Sequence, residues 1–308
     1  LEGSPWVAFG GSYSGALAAW VRQLYPEAFA AAVASSAPVE AQLNFQGYFN
    51  VVASTLTASS VGGSPACLAT ILNGHQEAAR RLGSSEGRRF LEQQFHLCGK
   101  NPLEVRKNVA GWAGMGLVTT TQYNSNRCSS TSCNVGLLCS TLARLRAETS
   151  SDLEAVIRLH HLQEAEVGAT ECADVSWDAW LDTLKLTEKV NTSSPLADSQ
   201  FYRIWEYQVC TEWGNFMTCQ EGSNCPWTKG FNDLGFWLDM CETLFGIPPD
   251  EVRKNIERTN QFYGGKDFPN GSRVVFTNGE VDPWHALSLL VSPRPDIDTI
   301  YVEGASHC

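Results

Sequence analysis

The sequence predicts an α/β fold in which a parallel sheet carries a mostly helical insertion. Three observations support this: an opening strand, turn, helix and strand; a long middle region with helical spacing; and strand patterns that return near the carboxyl end. A helix that connects two neighbouring strands implies that those strands are parallel. We therefore expect a core in two parts, residues 1–39 and 200–308, with residues 40–199 inserted as a helical cap domain.

The opening unit begins with the apolar residues 6–9 (WVAF), which reach a turn at Gly10 and Gly11. Such a run before paired glycines is typical of a buried strand. A helix follows, with apolar residues predicted on one face: Leu17, Trp20, Val21 and Leu24. Pro26 ends this helix, and residues 29–34 (FAAAVA) predict the second strand.

The middle region is rich in helix-forming residues and has few strand-like runs. Helical spacing is clearest in "ACLATILNGHQEAARRL", "GLLCSTLARLRAET" and "WDAWLDTLKLTEKV". Beyond it, residues 273–276 (RVVF) predict a strand followed by "TNGEVDPW", and residues 286–290 predict a helical segment. A last strand is predicted at residues 298–302 (DTIYV), before "EGASHC".

The charge and hydropathy of the chain narrow the classes of partner that we expect it to bind. The chain has 308 residues and a formal net charge of −11. An acidic surface repels phosphate backbones, so we expect no nucleic-acid partner. The sequence contains no run long and apolar enough for a membrane span.

The cysteine content indicates a disulfide framework. Eleven cysteines without a C-x-x-C pair disfavour zinc, so we expect no metal. Disulfides indicate a lysosomal, endosomal or secreted protein, and the odd count leaves at least one thiol without a partner in the chain. Two glycosylation sequons begin at Asn191 and Asn270.

The stretch "GGSYSG" predicts a nucleophile elbow at Ser12. In such an elbow the serine lies on a strained strand-to-helix turn, with small residues two positions before and after it. Ser12 has Gly10 before it and Ser14 after it, and it joins the predicted strand to the predicted helix. Ser14 would already lie inside the helix, so Ser12 is the better candidate. A glycine-rich turn without chemistry is the alternative reading.

A serine nucleophile needs a base, and the base needs an acid to orient it. Asp282 follows the predicted strand "RVVF", and His307 follows "DTIYV". The order Ser, Asp, His is that of α/β-hydrolases, whose catalytic groups follow the carboxyl ends of strands. His285 is a rival base. His160 and His161 are adjacent on a predicted helix, which favours a solvated face over a metal site.

Stabilisation of the oxyanion requires backbone donors, and we expect the N–H of Tyr13 to be one of them. The second donor normally comes from a loop after an earlier strand, and that loop is not among these residues. Both ends of the chain read as cut. We therefore expect that this segment expressed alone folds poorly, with an apolar strand edge exposed.

Four motifs carry a family resemblance: "GGSYSGALAAWVRQLYPEAFAAAVASSAPV", "YQVCTEWG", "NGEVDPWHALS" and "GASHC". They resemble the serine peptidases of the prolylcarboxypeptidase and dipeptidyl-peptidase II family, in particular its thymus-specific serine protease branch. The likeness runs over nearly the whole chain and is loosest in the helical middle.

The resemblance implies an α/β-hydrolase core with an inserted helical cap and a triad of Ser12, Asp282 and His307. It also implies exopeptidase action on peptides, typically beside proline, in endosomes or lysosomes and without a cofactor. Trp284 resembles an aromatic wall of the family's proline pocket, and core packing is the alternative for this side chain. A homodimer is compatible with this family resemblance. An esterase-like hydrolase and a truncated or non-catalytic interaction protein are the competing hypotheses.

Overall fold

The computed structural model describes residues 3–114, 121–166, 168, 171–185 and 196–308. Its strands, in chain order, are β1 (Val7–Gly11), β2 (Ala31–Ser35), β3 (Gln42–Asn44), β4 (Gly214–Phe216), β5 (Val274–Gly279) and β6 (Ile297–Val302). The main sheet has four parallel strands in the order β1-β2-β5-β6. The predicted α/β class with a parallel sheet is confirmed, and it is consistent with an α/β-hydrolase-like fold.

The predicted strand–helix–strand order is present, with β1 and β2 joined by α1 (Tyr13–Leu24). The prediction that the opening strand is buried is wrong: Val7 and Phe9 are exposed, because β1 lies at the edge of the four-stranded sheet. The predicted buried face of α1 is only partly right. Trp20 is buried, but Leu17 and Leu24 are exposed. The sheet-facing side consists of small residues such as Ala16 and Ala19, which let the helix lie close to the strands.

Residues 40–199 are predominantly helical where they are described. The helices are α2 (Gly47–Thr55), α3 (Pro65–Leu82), α4 (Ser85–Gln94), α5 (Arg106–Gly114), α6 (Val135–Glu148), α7 (Asp152–Glu166), α8 (Trp177–Lys185) and the beginning of α9 (Leu196–Gln208). Strand β3 at the start of this region pairs in parallel with β4, and so ties the region to the later part of the chain. The boundary proposed at residue 199 lies within α9. The division into a core and an inserted cap stays a prediction.

The last third of the chain returns to the main sheet after more helix than the sequence predicted. A π-helical turn, Val209–Trp213, follows α9, and α10 (Leu234–Phe245) and α11 (Pro249–Tyr263) precede β5. The helical segment predicted at residues 286–290 is instead a 3-10 helix at Pro283–Leu287. The difference follows from Pro283 and the cap made by Asp282, which start the helix earlier.

Five disulfide bonds confirm the predicted framework. The pairs are Cys67–Cys139, Cys98–Cys172, Cys128–Cys133, Cys210–Cys241 and Cys219–Cys225. Cys308 carries the free thiol expected from the odd count. Across the described residues, no helix has the length and apolar character needed to cross a bilayer.

Candidate active site

Three strand ends meet at one edge of the main sheet. Ser12 follows β1, Asp282 follows β5 and His307 follows β6. Because these strands are parallel, their carboxyl ends lie on the same side. This is the edge at which open α/β sheets place their sites.

Ser12 lies on a strained turn between β1 and α1. Its φ of 59° and ψ of −131° are unusual for a residue with a side chain. The turn is tight because Gly10 and Gly15 lack side chains. A Cβ on Gly10 would lie 1.9 Å from the carbonyl oxygen of Ser14, and one on Gly15 would lie 2.7 Å from that of Ser35. Ser14 is exposed and lies within α1, so the small-residue constraint acts at the two glycines.

Ser12, His307 and Asp282 form a continuous line of hydrogen-bonding distances. His307 Nε2 lies 2.8 Å from Ser12 Oγ, and His307 Nδ1 lies 2.9 Å from Asp282 Oδ1. The side chains of His307 and Asp282 are 5% and 0% exposed, so solvent screens their interaction little. The structure therefore brings the three residues predicted for a triad into contact in the predicted order.

The surroundings of His307 favour its charged form. Burial by itself lowers the pKa of His307, but hydrogen bonds and charges from Asp282 and Cys308 outweigh it and raise the pKa to about 9. The carboxylate also fixes the tautomer, because Nδ1 must donate to Asp282 for the neutral ring to accept a proton at Nε2. Nε2 of His307 is thereby left facing Ser12 Oγ.

The rival base His285 and the adjacent pair His160 and His161 have other partners. His285 Nδ1 is 2.9 Å from the carbonyl oxygen of Gly279, and its ring packs against Tyr301. His160 and His161 both pair with Glu164 on α7. Within the described ranges, no group of three or more His, Cys, Asp or Glu side chains is arranged to hold a metal ion.

The backbone N–H of Tyr13 donates to no group in the described part of the chain, although neighbouring N–H groups do. The N–H of Ser12 donates to the carbonyl of Ser35, and that of Gly15 to the carbonyl of Ser12. The N–H of Tyr13 also lies at the amino terminus of α1, where the helix dipole favours negative charge. The side chain of Tyr13 packs against Trp205 and Trp213.

Trp284 lies beside the histidine. Its ring centroid is 6.3 Å from that of His307, and it packs between Phe45 and Tyr48 at 5.5 and 5.6 Å. Its backbone N–H donates to Asp282 Oδ1 at 2.9 Å. The side chain is only partly buried, so it both contacts the core and borders the site.

Sequence reasoning missed two residues that contact the loop of His307, namely Gly279 and Ser36. A Cβ on Gly279, at the end of β5, would lie 2.3 Å from the carbonyl oxygen of Ala305, so this glycine lets the His307 loop approach. Ser36 has a φ of 50°, and its Oγ accepts the N–H of Cys308 at 3.1 Å. The "NG" in "TNGEVDPW" was a usable signal for the first, whereas "SSAPV" has no pattern that indicates the second.

A further missed residue comes from the helical region. Gln122 accepts the N–H of His307 through its backbone carbonyl at 3.0 Å. Its Oε1 accepts hydrogen bonds from Tyr48 at 2.7 Å and from Trp284 Nε1 at 3.1 Å. No motif surrounds it, so the sequence contains no signal for this contact.

Of the two predicted glycosylation sites, Asn270 is exposed in the loop before β5. Asn191 lies outside the described residues. Modification at either position stays a prediction.

Comparison with known proteins identifies the family. Residues 1–308 match the family described as Serine carboxypeptidase S28. The chain belongs to this family. The S28 assignment confirms the resemblance expected from the four sequence motifs.

Curated S28 relatives agree with this assignment. Thymus-specific serine protease of Mus musculus is 33% identical over 99% of this chain and 58% of its own length. The Homo sapiens protein of that name is 34% identical, with the same coverage of 99% and 58%. Lysosomal Pro-X carboxypeptidase of Mus musculus is 25% identical over 99% of this chain and 58% of its own length. The S28 chain therefore spans less than two thirds of each of these relatives.

Proposed function

We propose that this chain carries the catalytic centre of a serine peptidase, with Ser12 as nucleophile, His307 as general base and Asp282 as the orienting acid. The observation that carries the proposal is the unbroken line from Ser12 Oγ to His307 Nε2 at 2.8 Å and from His307 Nδ1 to Asp282 Oδ1 at 2.9 Å. The strained turn at Ser12 supports it, because it exposes the hydroxyl at the edge of the sheet.

Acylation would proceed as follows. Neutral His307 takes the proton of Ser12 at Nε2 while Oγ attacks the scissile carbonyl carbon. The carbonyl oxygen becomes an oxyanion, and the N–H of Tyr13, which has no acceptor among the described residues, would donate to it. His307 then gives the proton to the leaving amine, and the carbon–nitrogen bond breaks to leave an acyl-enzyme.

Deacylation repeats these proton transfers with water. His307 takes a proton from the water molecule, whose oxygen attacks the acyl carbon. The second tetrahedral intermediate collapses, Ser12 Oγ regains the proton from His307, and the acid product leaves. Asp282 keeps its negative charge throughout and stabilises the imidazolium form of His307.

We propose exopeptidase action on peptides near proline. The partly buried ring of Trp284 forms an aromatic surface 6.3 Å from the ring of His307, which suits the compact, apolar ring of proline. The Pro-X carboxypeptidase named among the relatives supports the same direction. A Trp284 that served only in packing would give no preference for proline.

A secreted or endosomal–lysosomal route is proposed from the five disulfides, which need an oxidising compartment to form. A relative named as lysosomal supports this. The raised pKa of His307 favours the less acidic compartments along that route, because the base must be neutral to act.

A fluorophosphonate probe tests the nucleophile in the protein expressed from its full reading frame. We expect the wild type to be labelled, Ser12→Ala to lose all labelling, and the matched control Ser14→Ala to keep it. Labelling that survives in the Ser12→Ala protein would show that another serine reacts. Circular dichroism of each variant verifies that it is folded.

A substrate panel then tests the specificity. Peptides with proline near one end are compared with matched alanine peptides, each with free and blocked termini, alongside a short ester. Cleavage that requires a free terminus and proline supports the exopeptidase proposal. Turnover of the ester with no peptide cleaved would instead identify an esterase.

A further inference from the structure

We propose that Gln122 is a positioning residue that holds His307 and the Asp282 loop in register from the helical region of the chain. This inference rests on the proposed function, since it concerns how the base and the acid are held. Among the hydrogen bonds of the described residues, none joins Gln122 to Ser12 or Asp282, so its role is to place the groups that react.

The backbone of Gln122 holds the base. Its carbonyl oxygen accepts the N–H of His307 at 3.0 Å. Two residues further along, the carbonyl oxygen of Asn124 accepts the hydroxyl of Ser306 at 2.8 Å. The loop that carries the histidine is therefore attached at two successive positions to the same segment of the helical region.

The side chain of Gln122 holds the acid through Trp284. Gln122 Oε1 accepts the indole N–H at 3.1 Å, and the backbone N–H of Trp284 donates to Asp282 Oδ1 at 2.9 Å. The same carboxylate oxygen accepts His307 Nδ1. Asp282 Oδ2 has no partner among the described residues, so the orientation of the carboxylate depends on Trp284 and His307.

Tyr48 keeps the glutamine in place. Its side chain is fully buried, and its hydroxyl donates to Gln122 Oε1 at 2.7 Å. Burial, and secondly the charge of Asp282, raise the pKa of Tyr48, so this hydroxyl remains a donor. One amide oxygen thus satisfies two donors that would otherwise be unpaired, which explains why an acceptor is needed at this position.

Three variants of the protein, expressed from its full reading frame, test the proposal. Gln122→Met keeps the length and removes the acceptor, whereas Gln122→Glu keeps an acceptor. Gln220→Met is the matched control, because Gln220 Oε1 also accepts two side-chain hydrogen bonds, from Asn44 and Gln46, and no hydrogen bond of the described residues joins it to the triad. We compare kcat, KM, the rate of fluorophosphonate labelling and the unfolding midpoint.

We expect Gln122→Met to lower kcat and the labelling rate by about 10- to 100-fold with little change in KM, as misplaced reacting groups do. Gln122→Glu should recover most of that loss, and Gln220→Met should keep the wild-type rates. Wild-type rates in folded Gln122→Met overturn the proposal. Equal losses in Gln122→Met and Gln220→Met also overturn it, because they would reflect stability alone.

Two further outcomes can be distinguished from failure of the positioning role. A wild-type protein that the probe does not label contradicts the proposed function itself, whatever Gln122 does. If Gln122→Met does not fold, Tyr48→Phe takes its place, because it removes one of the two donors with almost no change in volume. A lowered kcat in Tyr48→Phe then supports the positioning role, and an unchanged kcat overturns it.

Discussion

The carboxyl edge of the main sheet and the helical region at residues 40–199 are held in shape by different means. At the sheet edge, Ser12, Asp282 and His307 are placed by parallel strand register and by glycines that permit close backbone contacts. The helical region contains three disulfides, two of which join residues 72 and 74 positions apart. In the described chain, no disulfide has a cysteine in the four strands of the main sheet.

The difference shows how each region can hold its side chains in defined positions. A hydrogen-bonded sheet repeats its spacing at every residue, so a side chain just beyond a strand end is placed within narrow limits. Separate helices share no ladder of backbone hydrogen bonds with one another, and disulfides restrict the unfolded chain of this region instead. The two regions meet at Gln122, where the helical region contacts the loop of His307.

The largest expected effect is on stability, and it compares a long disulfide loop of the helical region with a short loop later in the chain. Replacing Cys67 and Cys139 together by alanine should lower the free energy of unfolding by about 4 kcal/mol, whereas replacing Cys219 and Cys225 should cost about 2 kcal/mol, because loop entropy grows with the logarithm of loop length. The sequence separations are 72 and 6. Urea unfolding measures both, and equal losses would contradict the loop-length explanation. In both folded variants we expect wild-type kcat.

A smaller change in the free energy of unfolding is expected when either of two glycines is replaced by alanine. Gly10→Ala should lower the free energy of unfolding by about 2 kcal/mol or more, because its Cβ would lie 1.9 Å from the carbonyl oxygen of Ser14. Gly111 lies in α5 with open space around it, so Gly111→Ala should raise stability by about 0.5–1 kcal/mol. Thermal unfolding and fluorophosphonate labelling report both. A Gly10→Ala protein that reacts at the wild-type rate would show that the turn is less constrained than described.

The third prediction is a pH dependence of the labelling rate that is specific to the sheet edge. Since the pKa of His307 is raised to about 9 and the neutral ring is the base, the labelling rate should rise about tenfold per pH unit and level off near pH 9. His161→Ala, which removes an exposed histidine of the helical region, should leave this profile unchanged. A plateau near pH 6.5 would contradict the influence assigned to Asp282 and Cys308.

The same shift has a consequence for stability. The pKa of His307 in the folded protein is above its usual value of 6.5, so folding is favoured by its protonation. The contribution is fully present below about pH 6.5 and is lost as the pH rises through about 9. The unfolding midpoint should therefore fall over this range in the wild type and fall less in His307→Ala.

Much of the site could be predicted because its signals are local. Ser12 was identified from its small neighbours and from the strand and helix on either side, and Asp282 and His307 from the strands that precede them. The buried face of α1 was predicted less well. Helical spacing places the apolar residues Leu17 and Leu24 on one face, but it does not show which face of the helix contacts the sheet. Alanines face the strands because a close helix–sheet approach leaves no room for leucine.

The sequence by itself determined the α/β class, the presence of disulfides and the order of the three candidate site residues, because each depends on composition or on spacing along the chain. Which cysteines pair with each other was decided only by the tertiary structure. Only the tertiary structure decided that Gln122 meets Trp284, 162 positions away, and that His285 faces Gly279 and not Ser12. These contacts have no periodic signal. They depend on how the helical region packs against the sheet edge, and a buried donor such as Tyr48 finds its acceptor only when that packing is complete.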